Sequence, residues 1–412
     1  MRFLYTSAIR AYALGVRIAA CLGNRKAQLW RDGRACFPEP VNEAGEWIWF
    51  HAASLGEFEQ GRPVIEAIKE KYPQYKILLS FFSPSGYEIR KNYPLADEVL
   101  YLPVDTLQNA ERWLDRHHFV AAFFIKYEFW FNYMKVLKDK NIPLFYISLI
   151  LKPSQYFFKW YGKWFRQQLG NVSHFFVQDV QTENLLRSVG IVRATVCGDT
   201  RFDRVAAIAR QAKRFPDVER FIDGRKCVVA GSTWPPDERL LLNCINRLPE
   251  DYCFIMAPHD ISEAHVAQIK ASLGADCQLY SEFDADNHCK VLVLNTIGIL
   301  SQLYQYARFV YIGGGFGVNI HNIQEPVTFG NPVIFGPKYA GFKEAVDLSE
   351  KGGAFPIHDQ KELDEIFNKL LTDDVFRTEA SKVCSDYVNA QVGATSLIME
   401  GFQRLFLDSN AM

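Results

Sequence analysis

Three carboxylates and an arginine stand where apolar runs give way to small or polar residues. Glu57 follows the turn His51-Ala-Ala-Ser-Leu-Gly56 and falls at or near a helix start, where the helix dipole stabilises negative charge. There it is either an ordinary helix-start acid or a general base at the mouth of a cleft. Glu128 closes Lys126-Tyr127-Glu128, directly after the apolar run 120–125. It is either half of a structural ion pair or a group with altered proton affinity. Arg201, in Gly198-Asp-Thr-Arg-Phe-Asp203, lies near the expected domain junction. It either bridges to a phosphate or carboxylate or sits on a hinge turn.

Two further segments are suited to anions and hydroxyls. Gly231-Ser232-Thr233 follows a strand-like run and precedes a helix, so backbone N–H groups there would hold a phosphate. It lacks the P-loop lysine, which argues against ATP hydrolysis. In 312–337 a glycine run lets backbone approach a ligand. Asn322 and Glu325 follow, with Pro326 just inside the expected helix. Three apart, they share a helix face and suit either a ribose or a helix cap.

These positions need strands behind them. Apolar, β-branched and aromatic runs begin at Trp47, Ile77, Glu98, Phe119, Pro143 and His174, and again at Lys226, Asp251, Lys290, Phe309 and Pro332. Helix-like segments separate most of them. The alternation predicts two α/β domains with parallel sheets, and ligands at the carboxyl ends of the strands. The expected divisions are 1–35, a basic amphipathic segment; 36–206; 207–395; and 396–412, a helix returning to the first domain.

A chain of 412 residues with 49% apolar and 23% charged residues fits two folded domains. A net charge of -1 gives no field for nucleic acid. Nine cysteines, scattered and without a CxxC pair, read as reduced core residues of a cytosolic protein. No apolar stretch reaches ~18 residues, the length of a spanning helix. Residues 1–35 carry seven basic side chains against one acid. Arg2, Arg10 and Arg17 recur at spacings that place them near one helical stripe. This predicts a helix in the membrane interface with arginines at the headgroups. The alternatives are a helix packed on its own domain, and a lipoprotein signal ending at Cys21, whose apolar segment Arg10 and Arg17 would interrupt.

The ordered set HAASLGE, SFFSPSGYE, KYEFW, CGDTRFD, AGSTWPPDE, APHD, NTIG and GGGFGVNIHNIQEP…PVIFGP resembles the 3-deoxy-D-manno-octulosonate (Kdo) transferases of lipopolysaccharide synthesis. The basic N-terminus with RKAQLWRDGR matches too, so the resemblance runs from about residue 3 to about residue 390. It implies a GT-B fold: two Rossmann-like doubly wound domains facing each other across a cleft. It also implies a CMP-Kdo donor, a lipid A precursor as acceptor, no metal, and a place on the cytoplasmic face of the inner membrane through residues 1–35. Glu57 matches the family's proton acceptor and Glu128 its second essential carboxylate. Arg201 stands where the family has lysine, as a stabiliser of the transition state. Ser232 and Thr233 would hold the departing phosphate. Pro258 and His259 match a Pro-Arg pair at CMP, and Ile297-Gly298-Ile299 a Met-Gly-Glu segment at the nucleotide. Asn322, Ile323, Gln324 and Glu325 match the ribose segment Asn-Pro-Leu-Glu.

The departures have chemical content. Histidine for arginine at 259 makes that contact depend on protonation. Ile299 removes a carboxylate. Residues 147–151 lack the family's arginine, so acceptor preference would differ. The rival functions are a GT-B transferase using a UDP- or GDP-sugar, a sugar-nucleotide epimerase, and an inactive membrane-surface binding protein.

Overall fold

The computed structural model describes residues 1–35, 37 and 45–407, so Cys36 lies outside it. The chain divides into two compact units, 1–203 with 393–412, and 204–392. The first holds seven strands: β1 (Trp47–Ala52), β2 (Lys76–Phe81), β3 (Glu98–Tyr101), β4 (Phe119–Ile125), β5 (Leu144–Leu149), β6 (His174–Val177) and β7 (Ala194–Val196). Their order is β3-β2-β1-β4-β5-β6-β7. The second unit holds β8 (Lys226–Thr233), β9 (Tyr252–Pro258), β10 (Cys277–Leu279), β11 (Val291–Val293), β12 (Ala307–Ile312), β13 (Val333–Phe335) and β14 (Ala354–Pro356). Here the order is β10-β11-β9-β8-β12-β13-β14. Every pairing is parallel, including β1 with β4 and β8 with β12. The strand order reverses at those two pairs. Chain leaving the two strands there runs in opposite directions and opens a crevice at their carboxyl ends.

The central strands read as continuous apolar runs because both faces of each sheet are covered. In the first sheet Trp47, Trp49 and Phe124 enter one apolar cluster, while Ile48, Phe50 and Phe123 enter the other. Each such side chain contributes about 1.5–3 kcal/mol of burial before the entropy of ordering it. Helix α3 (Leu55–Lys71) adds Val64, Ile65 and Ile68 to the second cluster. Gly61 lets α3 come close: a Cβ there would lie 2.2 Å from Ile125 Cδ1. That approach sets the height at which Glu57 leaves the sheet.

The helix Ala394–Phe402 packs in the first unit, with Ile398, Met399 and Phe402 in the same cluster as α3. The Asp203 carboxylate accepts the N–H groups of Gly393 and Thr395, both at 2.6 Å, and fixes where this helix begins.

Helices α1 (Arg2–Cys21) and α2 (Arg25–Asp32) also pack on the first unit. Arg2 does not share the exposed stripe expected from its spacing with Arg10 and Arg17. It donates instead to the Phe131 carbonyl at 2.9 Å, Asn132 Oδ1 at 3.1 Å and Gln168 Oε1 at 2.6 Å. Tyr5 donates to the buried Asp105 carboxylate at 2.6 Å. Four polar bonds thus outweigh a stripe pattern, and α1 is packed on its own domain. Its other face stays apolar and exposed, through Phe3, Leu4, Leu14, Ile18 and Leu22. Arg10 and Arg17, both exposed, border that face. Among the described residues no helix is long and apolar enough to cross a membrane.

The eight described cysteines are all free thiols. Seven are buried. Cys21, at the end of α1, is exposed and is not the core residue expected.

Candidate functional site

In the first unit the loops leaving β1 and β4 bring Glu57 and Glu128 into electrostatic contact. Glu57 is the third residue of α3. Its carboxylate accepts the Ser54 N–H at 2.9 Å and the Ser54 hydroxyl at 3.2 Å, so it does serve as a helix-start acid. The other reading is served as well. Burial pushes its carboxyl up to about 7, the charge of Glu128 adds to this, and the Ser54 bonds and Lys126 oppose it. A carboxyl of that proton affinity changes state near neutral pH, as a general base must.

The raised value has a cost in stability. The fold prefers protonated Glu57, so its contribution is fully present below the unfolded value of 4.5 and lost as pH rises through about 7. Glu57→Gln keeps the shape and removes the charge. At pH 8 it should be more stable than the wild type by about 1–3 kcal/mol. Chemical denaturation of both proteins across pH 4–8 checks this. The gap should close at the acid end, and a constant gap would contradict it.

Glu128 Oε2 stands 3.5 Å from Nε2 of the fully buried His51. The hydrogen bonds decide whether this is an ion pair. Trp130 Nε1–H donates to His51 Nε2 at 2.9 Å, so that nitrogen carries no proton. His51 Nδ1–H then donates to Ser80 Oγ at 2.8 Å, and Ser80 also accepts from Trp49 Nε1 at 2.7 Å. His51 therefore carries its proton on Nδ1 and donates nothing to Glu128.

Arg201 is held two residues from its partner. The Asp199 carboxylate accepts its Nε at 2.9 Å, its Nη2 at 2.6 Å and its backbone N–H at 3.0 Å. Asp199 is buried and also receives Gln60 of α3 at 3.4 Å. Arg201 thus presents an oriented charge partly balanced by Asp199. It acts on Tyr127, whose phenol is raised by burial and by Glu57 and lowered by Arg201. Glu57, Tyr127 and the Arg201–Asp199 pair therefore form one electrostatic neighbourhood.

Backbone strain marks the same strand ends. Lys126 (φ 58°), Ser148 (φ 54°) and Ser232 (φ 53°) are left-handed without being glycine, at the ends of β4, β5 and β8. Each such residue costs on the order of 1–3 kcal/mol and clusters where ligands bind.

In the second unit the loops after β8, β12 and β13 close on one another through glycine. A Cβ at Gly313 would lie 2.3 Å from the Ser232 carbonyl oxygen, and one at Gly315 would lie 2.7 Å from Gly336. The buried Asp237 ties the same loops together. It accepts the N–H groups of Trp234 at 2.9 Å and Gly314 at 3.0 Å, and the Tyr311 hydroxyl at 2.8 Å. Ser232 and Thr233 belong to β8 and do not open a helix. The helix begins at Pro235, its first two residues are prolines without N–H, and Asp237 takes the Trp234 N–H. The phosphate-binding helix start expected there is absent.

His259 leaves β9 exposed, its N–H on the Thr233 carbonyl at 2.9 Å. Its ring lies in a stack, with Trp234 centred 4.6 Å away and His321 at 4.5 Å. Trp234 Nε1 donates to His321 Nε2 at 3.0 Å, and burial, then His259, lowers the His321 pKa. Pro258 is buried as the last residue of β9. Asn322 donates to Glu325 Oε1 at 3.3 Å, so the two expected partners meet, and it accepts the N–H of Gln324, the first residue of the short helix Gln324–Thr328, at 2.9 Å. Burial raises the Glu325 carboxyl, opposed by Asn322 and Arg204. Ile323 and Gln324 are buried beneath them. Ile297 is exposed and Gly298 left-handed (φ 96°), with Ile299 beginning a one-turn helix after β11. Lys338 donates to the Gly317 carbonyl, and Lys343 pairs with Asp347 within its helix.

Asp199, Asp237 and Trp234 were not singled out as site residues, and His51 was expected only as part of the segment 51–57. Asp237 had a signal, an acid at the third position of a helix. Asp199 had one too, two residues from Arg201. The role of His51 within its segment had none, because its hydrogen bonds depend on Trp130 and Ser80.

Residues 28–204 match the family model described as "3-Deoxy-D-manno-octulosonic-acid transferase (kdotransferase)". The 3-deoxy-D-manno-octulosonic acid transferase of Aquifex aeolicus is 26% identical, over 79% of this chain and 86% of that protein. That of Bordetella pertussis is 24% identical over 90% of each. Among solved structures, UDP-GlcNAc 2-epimerase from Neisseria meningitidis aligns with a TM-score of 0.61 at 14% identity, over 88% of this chain and 100% of that one. MurG of Acinetobacter baumannii aligns with 0.55 at 13%, again over 88% and 100%. At such identity these structures establish the fold, GT-B, and leave chemistry to the residues.

Proposed function

We propose that this chain, which resembles the Kdo-transferase family over most of its length, moves Kdo from CMP-Kdo to a sugar hydroxyl of a lipid A precursor, with inversion at the anomeric carbon. The observation that carries the reading is Glu57, a carboxyl poised near neutrality by burial and by Glu128. The acceptor hydroxyl gives its proton to Glu57 as its oxygen bonds to the anomeric carbon. The bond from that carbon to the phosphate oxygen breaks, and CMP departs with the electron pair. Base catalysis of this kind supplies about 10²–10⁴-fold, and orientation and charge stabilisation supply the rest. Glu128 keeps the Glu57 proton affinity high. Arg201, oriented by Asp199, is the candidate cation for the departing phosphate. The second unit takes the nucleotide: Asn322 and Glu325 suit the ribose, and the Trp234–His259–His321 stack suits the base or its phosphate. The step calls for no metal.

Titration with CMP, UMP and GMP tests the donor. CMP should bind most tightly, and tighter UMP binding would point to a UDP-sugar instead.

The proposal places the enzyme on the cytoplasmic face of the inner membrane, lying on it through the exposed face of α1. Leu14 and Ile18 are 59% and 53% exposed, so Leu14→Glu with Ile18→Glu should leave folding intact. The double variant should lose cosedimentation with anionic phospholipid vesicles. Wild-type cosedimentation would refute attachment through this face.

A further inference from the structure

Beneath α1 and α2 lies a cavity of about 250 Å³ in the first unit, and four arginines line it: Arg17, Arg31, Arg34 and Arg112. Among the described residues no acid lines it. Arg31 is paired with Asp32 at the surface. Arg17 and Arg112 have no acidic partner among the described residues, and the Arg112 guanidinium lies 4.0 Å over the Phe37 ring.

Arg34 is the unusual member. Its guanidinium sits 4.2 Å from the Trp30 ring and 4.9 Å from those of Phe82 and Tyr101. Among the described residues its N–H groups go only to carbonyls, those of Leu102 at 2.7 Å, Phe82 at 2.7 Å and Trp30 at 3.1 Å. Burial pushes it down to about 9, the mark of a desolvated cation without a counter-ion. Trp30 also lines the cavity. It is 5% exposed, and its Nε1–H is buried without an acceptor. Buried donors of this kind are rarely left unmet.

Trp30 is also the shared wall of a second, apolar groove of about 260 Å³, whose sides include Tyr12, Val16, Phe82 and Pro84. A strongly basic cavity and an apolar groove on either side of one indole suit a molecule that is an oxyanion at one end and hydrocarbon at the other. From Phe82 the contacts lead on through Trp130, 4.7 Å away, to His51 and Glu128.

We propose that the two cavities form one binding site for a phosphate-bearing lipid. The phosphate lies against Arg34, Arg17 and Arg112, and an acyl chain runs along Tyr12, Val16 and Phe82. Guanidinium groups hold phosphate through charge-assisted, bidentate bonds, and the stacked rings hold Arg34 in place without neutralising it. The site stands whether or not the donor is CMP-Kdo.

The test uses dodecyl phosphate as probe, kept below its micelle concentration, with the full chain and calorimetry. Wild type should bind it more tightly than dodecyl maltoside. Arg17→Ala with Arg112→Ala should weaken binding about tenfold or more, with melting unchanged because both are surface side chains. Arg34→Met should weaken it further, and the double variant carries the test if Arg34→Met fails to fold. Val16→Asp should weaken dodecyl phosphate but not inorganic phosphate. Equal affinity of wild type and the double variant, or equal affinity for the maltoside, would overturn the site.

Two further arms identify the source of the phosphate. A tenfold rise in KM for a phosphorylated lipid acceptor, with kcat unchanged, assigns it to the acceptor. An unchanged KM with lost binding to phosphatidic acid vesicles assigns it to a bilayer lipid. If both survive in the double variant the site is wrong, even where CMP-Kdo proves to be the donor.

Discussion

Glu57→Gln should lower kcat about 10²–10⁴-fold and leave CMP affinity where it was. Glutamine keeps the length and planarity of the side chain and can still accept the Ser54 N–H, so the start of α3 survives. What it loses is the ability to take a proton. The segments proposed for the nucleotide lie in the second unit, so no contact proposed for CMP is removed with it. The wild-type rate should rise about tenfold per pH unit below about 7 and level above it, because only ionised Glu57 accepts a proton. In the variant that limb should vanish. Assays of kcat across pH 5–9 read both effects. A variant within threefold of wild type would remove Glu57 from the role.

Asp237→Ala should be the most destabilising single change near the nucleotide segments, at about 3–5 kcal/mol. Three donors, two of them buried, lose their acceptor together: the N–H groups of Trp234 and Gly314 and the Tyr311 hydroxyl. Alanine supplies no acceptor, and Asp237 is 1% exposed, so water is poorly placed to replace it. The melting transition of the second unit should fall on the order of 10 °C. CMP binding should weaken as the glycine loop at 313–315 loosens from Ser232. Asp237→Asn should lie between, because its NH₂ group faces donors. Scanning calorimetry of the full chain measures all three proteins, and a wild-type profile for Asp237→Ala would contradict the loop-tying role.

Much of this site is legible in the chain because α/β folds place function where strands end. Glu57 and Glu128 follow apolar runs buried on both faces, and that burial makes the runs conspicuous. β7, β10 and β14 have three residues each, too few for any period, and none was expected from the sequence. The proton affinity of Glu57 was not legible, since it depends on a second carboxylate 71 positions along the chain and on solvent excluded by the fold. The absence of a helix start at Ser232-Thr233 has a local cause. Pro235 and Pro236 cannot donate, and Asp237 takes the N–H that remains. The stripe reading of Arg2 fails for the opposite reason, because its partners Asn132 and Gln168 are remote in sequence.

The most direct test incubates the wild-type chain with CMP-Kdo and a lipid A precursor and takes the mass spectrum of the glycolipid. The acceptor should gain whole Kdo residues, with one CMP released for each, and Glu57→Gln should yield no such product on the same timescale. An unmodified acceptor in the presence of CMP-Kdo, with turnover of a UDP- or GDP-sugar instead, would contradict it.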